Sequence, residues 1–151
     1  MIKIQETLAA VCLIVLFTIV IAGYAQSQQL YQYKIIRVID GDTIEFEAPF
    51  LPKELKQTLR LRVNGVDTPE KGPLAKCGEE MQKSITAKQF TEQQIQNAKT
   101  TSIVLVKWDK YGGRVLGDVV IDGVRLSKLL IDNNYAIPYN GGKKQSWCPR
   151  K

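Results

Sequence analysis

Strand signals crowd this chain, and the pattern of apolar and polar positions marks out most of its elements. Between Tyr33 and Asp40, the residues Ile35, Ile36, Val38 and Ile39 predict a strand. Asp40-Gly41 is a hairpin-type dipeptide, and Thr43–Glu47 follows it as a second strand. Thr58–Val63 alternates cleanly, with Leu59, Leu61 and Val63 on one face and Arg60 and Arg62 on the other. Gly78 to Ala98 is free of Gly and Pro after its start and rich in Glu, Gln and Lys. It predicts a helix, whose apolar stripe of Met81, Ile85, Phe90 and Ile95 is weak. Thr101–Trp108 and Arg114–Ile121 are β-rich and flank the turn signal at Asp109–Gly113. Leu126, Leu129 and Leu130 then stand at helical spacing.

The predicted order is β-β-β-α-β-β-α, a mainly β chain with helices, of the α+β class. A small twisted sheet of five strands with both edges open invites edge-to-edge aggregation, so closure is favoured. The expected architecture is a five-stranded OB-type barrel. At 151 residues one domain is expected, spanning 33–151, because two would leave each half a thin core. The Gln-rich stretch 26–32 reads as a linker.

Residues 1–25 read as a leader and not as part of the fold. No charged side chain occurs from Thr7 to Ala25, and Leu8 to Ala22 is almost wholly apolar. Gly23-Tyr24-Ala25 has the small residues of a signal-peptidase site, while the uncharged run is also long enough to span a bilayer. A cleaved signal is the preferred reading over a retained anchor at residues 7–25. Either places the remainder outside the cytoplasm, periplasmic, secreted or membrane-tethered. Cys12 lies in the leader, which leaves Cys77 and Cys148 as a natural disulfide pair in an oxidising compartment.

Lys and Arg outnumber Asp and Glu by 21 to 15, a net charge of +6 that suits a polyanionic partner. Histidine is absent. That excludes Ser-His-Asp hydrolysis, histidine-based nuclease chemistry and zinc sites built on imidazole. Acid–base work falls to carboxylates, lysine, tyrosine or metal-bound water.

Three clusters carry candidate chemistry. Ile39-Asp40-Gly41-Asp42-Thr43 is by itself a turn, unless a carboxylate leaves it toward a metal. Arg62 is followed by Asp67-Thr68-Pro69-Glu70, which suits a strand end and cap but also gathers an arginine and two carboxylates within nine residues. Asp109-Lys110-Tyr111-Gly112-Gly113-Arg114 is by itself a hairpin turn. In this order and spacing, from about Lys34 to Tyr139, the set resembles the staphylococcal nuclease (thermonuclease) family. The resemblance implies the same OB-type barrel with helices.

It also implies roles. Asp42 and Asp67 take the positions of calcium ligands, with the backbone carbonyl of Thr68 a third. Glu70 takes that of the general base, and Arg62 and Arg114 those of the phosphate-clamping guanidinium groups. Lys110 and Tyr111 lie where the family contacts the nucleotide. Such a donor set, all oxygen, suits a hard cation, Ca²⁺ or Mg²⁺, and the resemblance favours Ca²⁺. The expected activity is calcium-dependent, sugar-non-specific endonuclease cleavage of DNA and RNA by a monomer. The alternative is a non-catalytic OB-type module that holds single-stranded nucleic acid. Gly112-Gly113 stands where the family commonly has one glycine, a change able to re-aim Arg114. The loop after Glu70 is short and ends at Cys77.

Overall fold

The computed structural model describes residues 28–149; the leader read over residues 1–25, with Cys12, lies outside the described residues. The fold is α+β, with a mainly antiparallel sheet and two α-helices. Strands β1 (Ile35–Asp40), β2 (Thr43–Glu47) and β3 (Thr58–Val63) form an antiparallel meander. The two-residue β4 (Val66–Asp67) follows, then a single 3₁₀ turn at Gly72–Leu74 and helix α1 (Gly78–Gln96). Next come β5 (Thr101–Trp108), β6 (Arg114–Ile121), the short β7 (Val124–Arg125), helix α2 (Leu126–Asp132) and β8 (Ile137–Pro138). Among the described residues no helix is long and apolar enough to cross a membrane.

The main sheet runs β1-β2-β3-β6-β5, with β7 on β6, and β4 pairs separately with β8. All neighbours are antiparallel except β3 and β6. That parallel pair needs a long crossover, which α1 and β5 supply. Its register sets Arg60 beside Arg114 and Arg62 beside Leu116, so the arginines of β3 and β6 share one face. The opposite face holds the core, where Ile44, Phe46, Leu61, Ile103, Leu126 and Leu130 are all fully buried. Within the stretch read as linker, Tyr31 exchanges two backbone hydrogen bonds with Ile103 of β5, at 2.9 and 2.8 Å. The segment ahead of β1 is thereby joined to the far edge of the sheet.

Helix α1 does not bury the stripe that its sequence suggests. Met81 and Ile85 are exposed, while Glu80, Ser84, Ala87 and Thr91 are buried; only Phe90 and Ile95 pack against the core. Proximity explains the choice. The helix lies so close to the β1–β2 turn that a Cβ on Gly41 would sit 2.9 Å from the Ala87 Cβ. Thr91 Oγ1 also donates to the Gly41 carbonyl at 2.7 Å. Small side chains therefore face inward, and Gly41 is needed for space. At the other helix, the buried Asp118 of β6 accepts from Ser127 N at 3.2 Å and Ser127 Oγ at 2.6 Å, capping α2 from outside it.

Cys77 and Cys148 are disulfide-bonded, with Cα atoms 6.1 Å apart, as expected. Cys77 is also the N-cap of α1, so the bridge ties the chain end to the start of that helix.

Three outcomes test this description. Gly117 has no room for a side chain, since a Cβ would lie 2.2 Å from the Val104 carbonyl oxygen and 2.9 Å from Leu61 Cδ1. Gly117→Ala is expected to lower the unfolding free energy by about 3 kcal/mol in urea titration, the upper range for overpacking. Thiol titration of the denatured, unreduced chain should find at most the thiol of Cys12. Reduction of the bridge, which closes a separation of 71 positions, should lower stability by roughly 4 kcal/mol on the chain-entropy view.

Candidate active site

The buried end of the site is assembled from three elements. The turn out of β1 delivers Asp40 and Asp42, β4 delivers Asp67 with Thr68 beside it, and β3 delivers Arg62. β4 keeps its place by pairing with β8, Asp67 opposite Ile137. Asp42 and Asp67 are each 1% exposed and Thr68 4%. Thr68 N donates to Asp42 Oδ2 at 3.2 Å, and Thr43 Oγ1 to Asp42 Oδ1 at 3.1 Å. Arg62 joins the carboxylates: Nη1 is 2.8 Å from Asp42 Oδ1 and Nη2 is 3.4 Å from Asp67 Oδ1.

Arg62 does not fully balance this charge. Burial pushes Asp42 up from its ordinary 3.8 to about 7, against the pull of Arg62 and with the help of the neighbouring Asp40 carboxylate. An acid raised in this way favours the fold below pH 3.8 and loses that contribution as the pH climbs through about 7. Near neutrality the pair therefore wants a further positive charge. Asp40 Oδ1 points the same way, being buried without a hydrogen-bond partner.

Glu70 is held from behind. The buried Glu80 carboxylate of α1 accepts from Glu70 N at 3.3 Å and from Lys76 N at 2.7 Å, which pins the short loop. In front, Lys144 Nζ is bonded to Glu70 Oε1 and lies 2.7 Å from Asp67 Oδ1. Partial burial disfavours the Lys144 ammonium, but the Asp67 and Glu70 carboxylates outweigh it and hold its pKa above the ordinary value.

These groups open onto a groove of about 1320 Å³, lined by Asp40, Arg60, Arg62, Glu70, Lys110, Tyr111, Arg114 and Lys144 among others. Asp42, Asp67 and Thr68 lie beneath the lining. The doubled glycine is absorbed in the hairpin: Gly113 takes φ +71°, open to glycine, and its carbonyl accepts from Arg60 N at 3.2 Å. Arg114 thus stays on the β3 arginine face. Its Nε is 2.5 Å from Asp109 Oδ2, and its guanidinium lies 4.7 Å from the Tyr111 ring centroid. Lys110 lies over the same ring at 5.1 Å.

Of the residues singled out from sequence, Arg62, Asp42, Asp67 and Thr68 form one bonded cluster, and Glu70 is linked to it through Lys144. Arg114, Lys110 and Tyr111 form a second group in the groove lining. Arg62 and Glu70 of the first group share the groove lining with the second, and among the described residues no hydrogen bond or ion pair joins the two groups. Reading the sequence passed over Asp40, Arg60, Glu80 and Lys144. Arg60 was visible in its alternation with Arg62, and Asp40 in the Asp-Gly-Asp motif; Glu80 and Lys144 left no local signal.

Among the described residues, one trio of Cys, Asp or Glu ligand atoms lies within 4.8 Å, that of Cys77, Glu80 and Cys148, whose sulfurs are bonded to each other. Asp42, Asp67 and Glu70 are not drawn into such a trio; Arg62 and Lys144 stand on them instead. Their chemistry still fits a hard cation, through oxygen-only donors, an unpartnered buried Asp40 oxygen and an Asp42 that ionises only reluctantly.

A family model described as staphylococcal nuclease homologue matches residues 60–147, more than half of the chain. The chain belongs to the staphylococcal nuclease homologue family. Two proteins named uncharacterized endonuclease, from Escherichia coli and Escherichia coli O157:H7, are each 29% identical to it over 100 residues. The shared region covers 65% of this chain and 54% of each relative, so the chain spans about half the length of the curated relatives it matches.

The buried cluster has a measurable consequence. Removing one partner from a buried ion pair typically costs about 3–5 kcal/mol, because the other charge stays behind. Arg62→Ala should therefore lower stability at pH 7 by about 3 kcal/mol in urea titration. In the Arg62→Ala/Asp42→Asn double variant the loss should be smaller than in Arg62→Ala alone. Additive losses would show that Asp42 and Arg62 are not coupled.

Proposed function

We propose that this chain is a calcium-dependent, sugar-non-specific endonuclease that hydrolyses phosphodiester bonds of DNA and RNA as a monomer. The observation that carries the reading is the buried Asp42–Arg62–Asp67 cluster opening onto a cationic groove, in a chain of this family. The names of the two Escherichia coli relatives agree with it.

Asp42, Asp67 and the Thr68 carbonyl are the residues that would hold Ca²⁺. When bound, the ion would polarise a phosphoryl oxygen and lower the pKa of a water. Glu70, with its backbone fixed by Glu80, takes the proton from the attacking water. Arg62 and Arg114 approach the phosphate from adjacent strands and offer forked donors that match its oxygens, which a lysine cannot reproduce. Lys110 and Tyr111, on the exposed hairpin, contact the neighbouring nucleotide by charge and stacking. Contacts of this kind are sequence-tolerant, which suits a substrate range covering both sugars.

The same reading takes the sheet as a closed OB-type barrel, supported by the Tyr31–Ile103 bonds between its two ends. It takes the chain as exported, supported by the Cys77–Cys148 bridge, which suits an oxidising compartment.

Incubation of labelled DNA and RNA with the purified chain should give cleavage with Ca²⁺ and none with chelator. Glu70→Gln should lower turnover by a hundredfold or more, roughly the effect of removing a general base. Binding of single strands without cleavage in Ca²⁺ would instead favour a non-catalytic module, and full activity in Glu70→Gln would remove that residue from the chemistry.

A further inference from the structure

Residues 139–149 form a strap that is fixed near both ends and lends Tyr139, Asn140, Gly141 and Lys144 to the groove lining. Tyr139 N donates to the Gly65 carbonyl at 2.9 Å, and Cys148 is bonded to Cys77. Between them, Lys83 of α1 donates to the Trp147 carbonyl at 3.0 Å. Lys144 lies within this strap, and its ammonium bridges Asp67 and Glu70, the candidate metal ligand and candidate base.

Such a contact differs from an ordinary surface ion pair. Exposed pairs contribute little, because two long side chains must be ordered in high-dielectric water. Here the Asp67 side chain is 1% exposed and Lys144 itself only 35%. The strap is already closed by the disulfide, so little chain entropy is lost in presenting the lysine.

We infer that Lys144 is a built-in competitor for the divalent-metal site, a monovalent cation that the fold places on Asp67 and Glu70 and that metal binding must displace. The inference rests on the metal reading proposed above. A calcium ion bound to a carboxylate lies about 2.3–2.6 Å from its oxygen. The Lys144 nitrogen lies 2.7 Å from Asp67 Oδ1, so a metal using that oxygen would put two cations at close quarters. The ammonium must then move away, and Glu70 is released from its ion pair in the same event. The base becomes free for its proton only when the metal is in place. Because the bridge keeps the displaced lysine nearby at high effective concentration, the strap also sets the metal affinity.

Calorimetric titration of the purified chain with CaCl₂, without nucleic acid, tests this apart from activity. Lys144→Met should bind Ca²⁺ about tenfold more tightly or better, the usual scale for two ligands coupled through one site. Lys144→Arg keeps the charge and should stay near the wild-type affinity. Cys77→Ser/Cys148→Ser loosens the strap and should tighten binding in the same direction, with less than the full added effect when combined with Lys144→Met. A merely structural role would weaken Ca²⁺ binding instead. Unchanged or weaker binding in a Lys144→Met protein that melts cooperatively overturns the inference. If that variant does not fold, Lys144→Gln is read by the same criterion. Equal binding by wild type and variant removes the competitor alone, whereas failure of both to bind Ca²⁺ removes the metal reading with it.

Discussion

The structure turns on the burial of two carboxylates, Asp42 and Asp67, at a junction where three strands meet. Ionised groups of this kind are costly to remove from water unless positive charge and hydrogen-bond donors meet them. Arg62 provides the charge from β3 and the Thr68 backbone provides a donor. Much of the surrounding architecture can be read as holding those partners in register. β4 exists to set Asp67 against β8, and the parallel β3–β6 pair brings the second arginine strand alongside the first. Helix α1 lies close enough to the β1–β2 turn to exclude any side chain at Gly41, which fixes Asp42 from below.

The same helix links the buried charge to the groove. Its N-terminal turn carries Cys77, the anchor of the C-terminal strap, and Glu80, the acceptor for Glu70 N. A single rigid element therefore positions the backbone of the candidate base and the cation that faces it. This explains why a helix with so weak an apolar stripe packs tightly. Its inward face is chosen for small size at Gly41 and for hydrogen bonding to the loop, and hydrophobic burial is left to Phe90 and Ile95 at its far end.

Much of the fold was legible in the sequence because strands β1, β2, β3, β5 and β6 are rich in β-branched and apolar residues and bounded by turn signals. Clean period-two alternation marks β3 alone, whose Leu59, Leu61 and Val63 are buried, and the expected bounds agree with the observed ones except for two residues at the start of β1. The two-residue strands β4, β7 and β8 are too short for any period to show. The buried face of α1 was also illegible, since Ser84, Ala87 and Thr91 carry no hydrophobic signal. At the site, Arg62, Asp67 and Thr68 could be grouped because one local motif holds them at short spacing, and Asp42, 20 positions before Arg62, joined them through the resemblance of the ordered motifs. Lys144 lies 77 positions from Asp67 along the chain, in a basic tail of ordinary composition. Only the disulfide and the strap bring it back, and a contact set by tertiary closure leaves no local pattern to read.

The charges of the site can finally be weighed against one another. Asp40, Asp42, Asp67 and Glu70 gather four carboxylates, while Arg62 and Lys144 bring two cations among them. Arg114 does not enter this balance, because Asp109 already pairs with it. The shortfall is two positive charges, which agrees with the elevated Asp42 and the unpartnered Asp40 oxygen. A divalent cation taking the place of Lys144 would exchange one positive charge for two and leave the cluster one charge short. On the metal reading proposed above, such an exchange would lessen the repulsion that the carboxylates exert on an anion in the groove. The net +6 of the chain favours a polyanion at a distance, while the carboxylates of Asp42, Asp67 and Glu70 oppose one at close range.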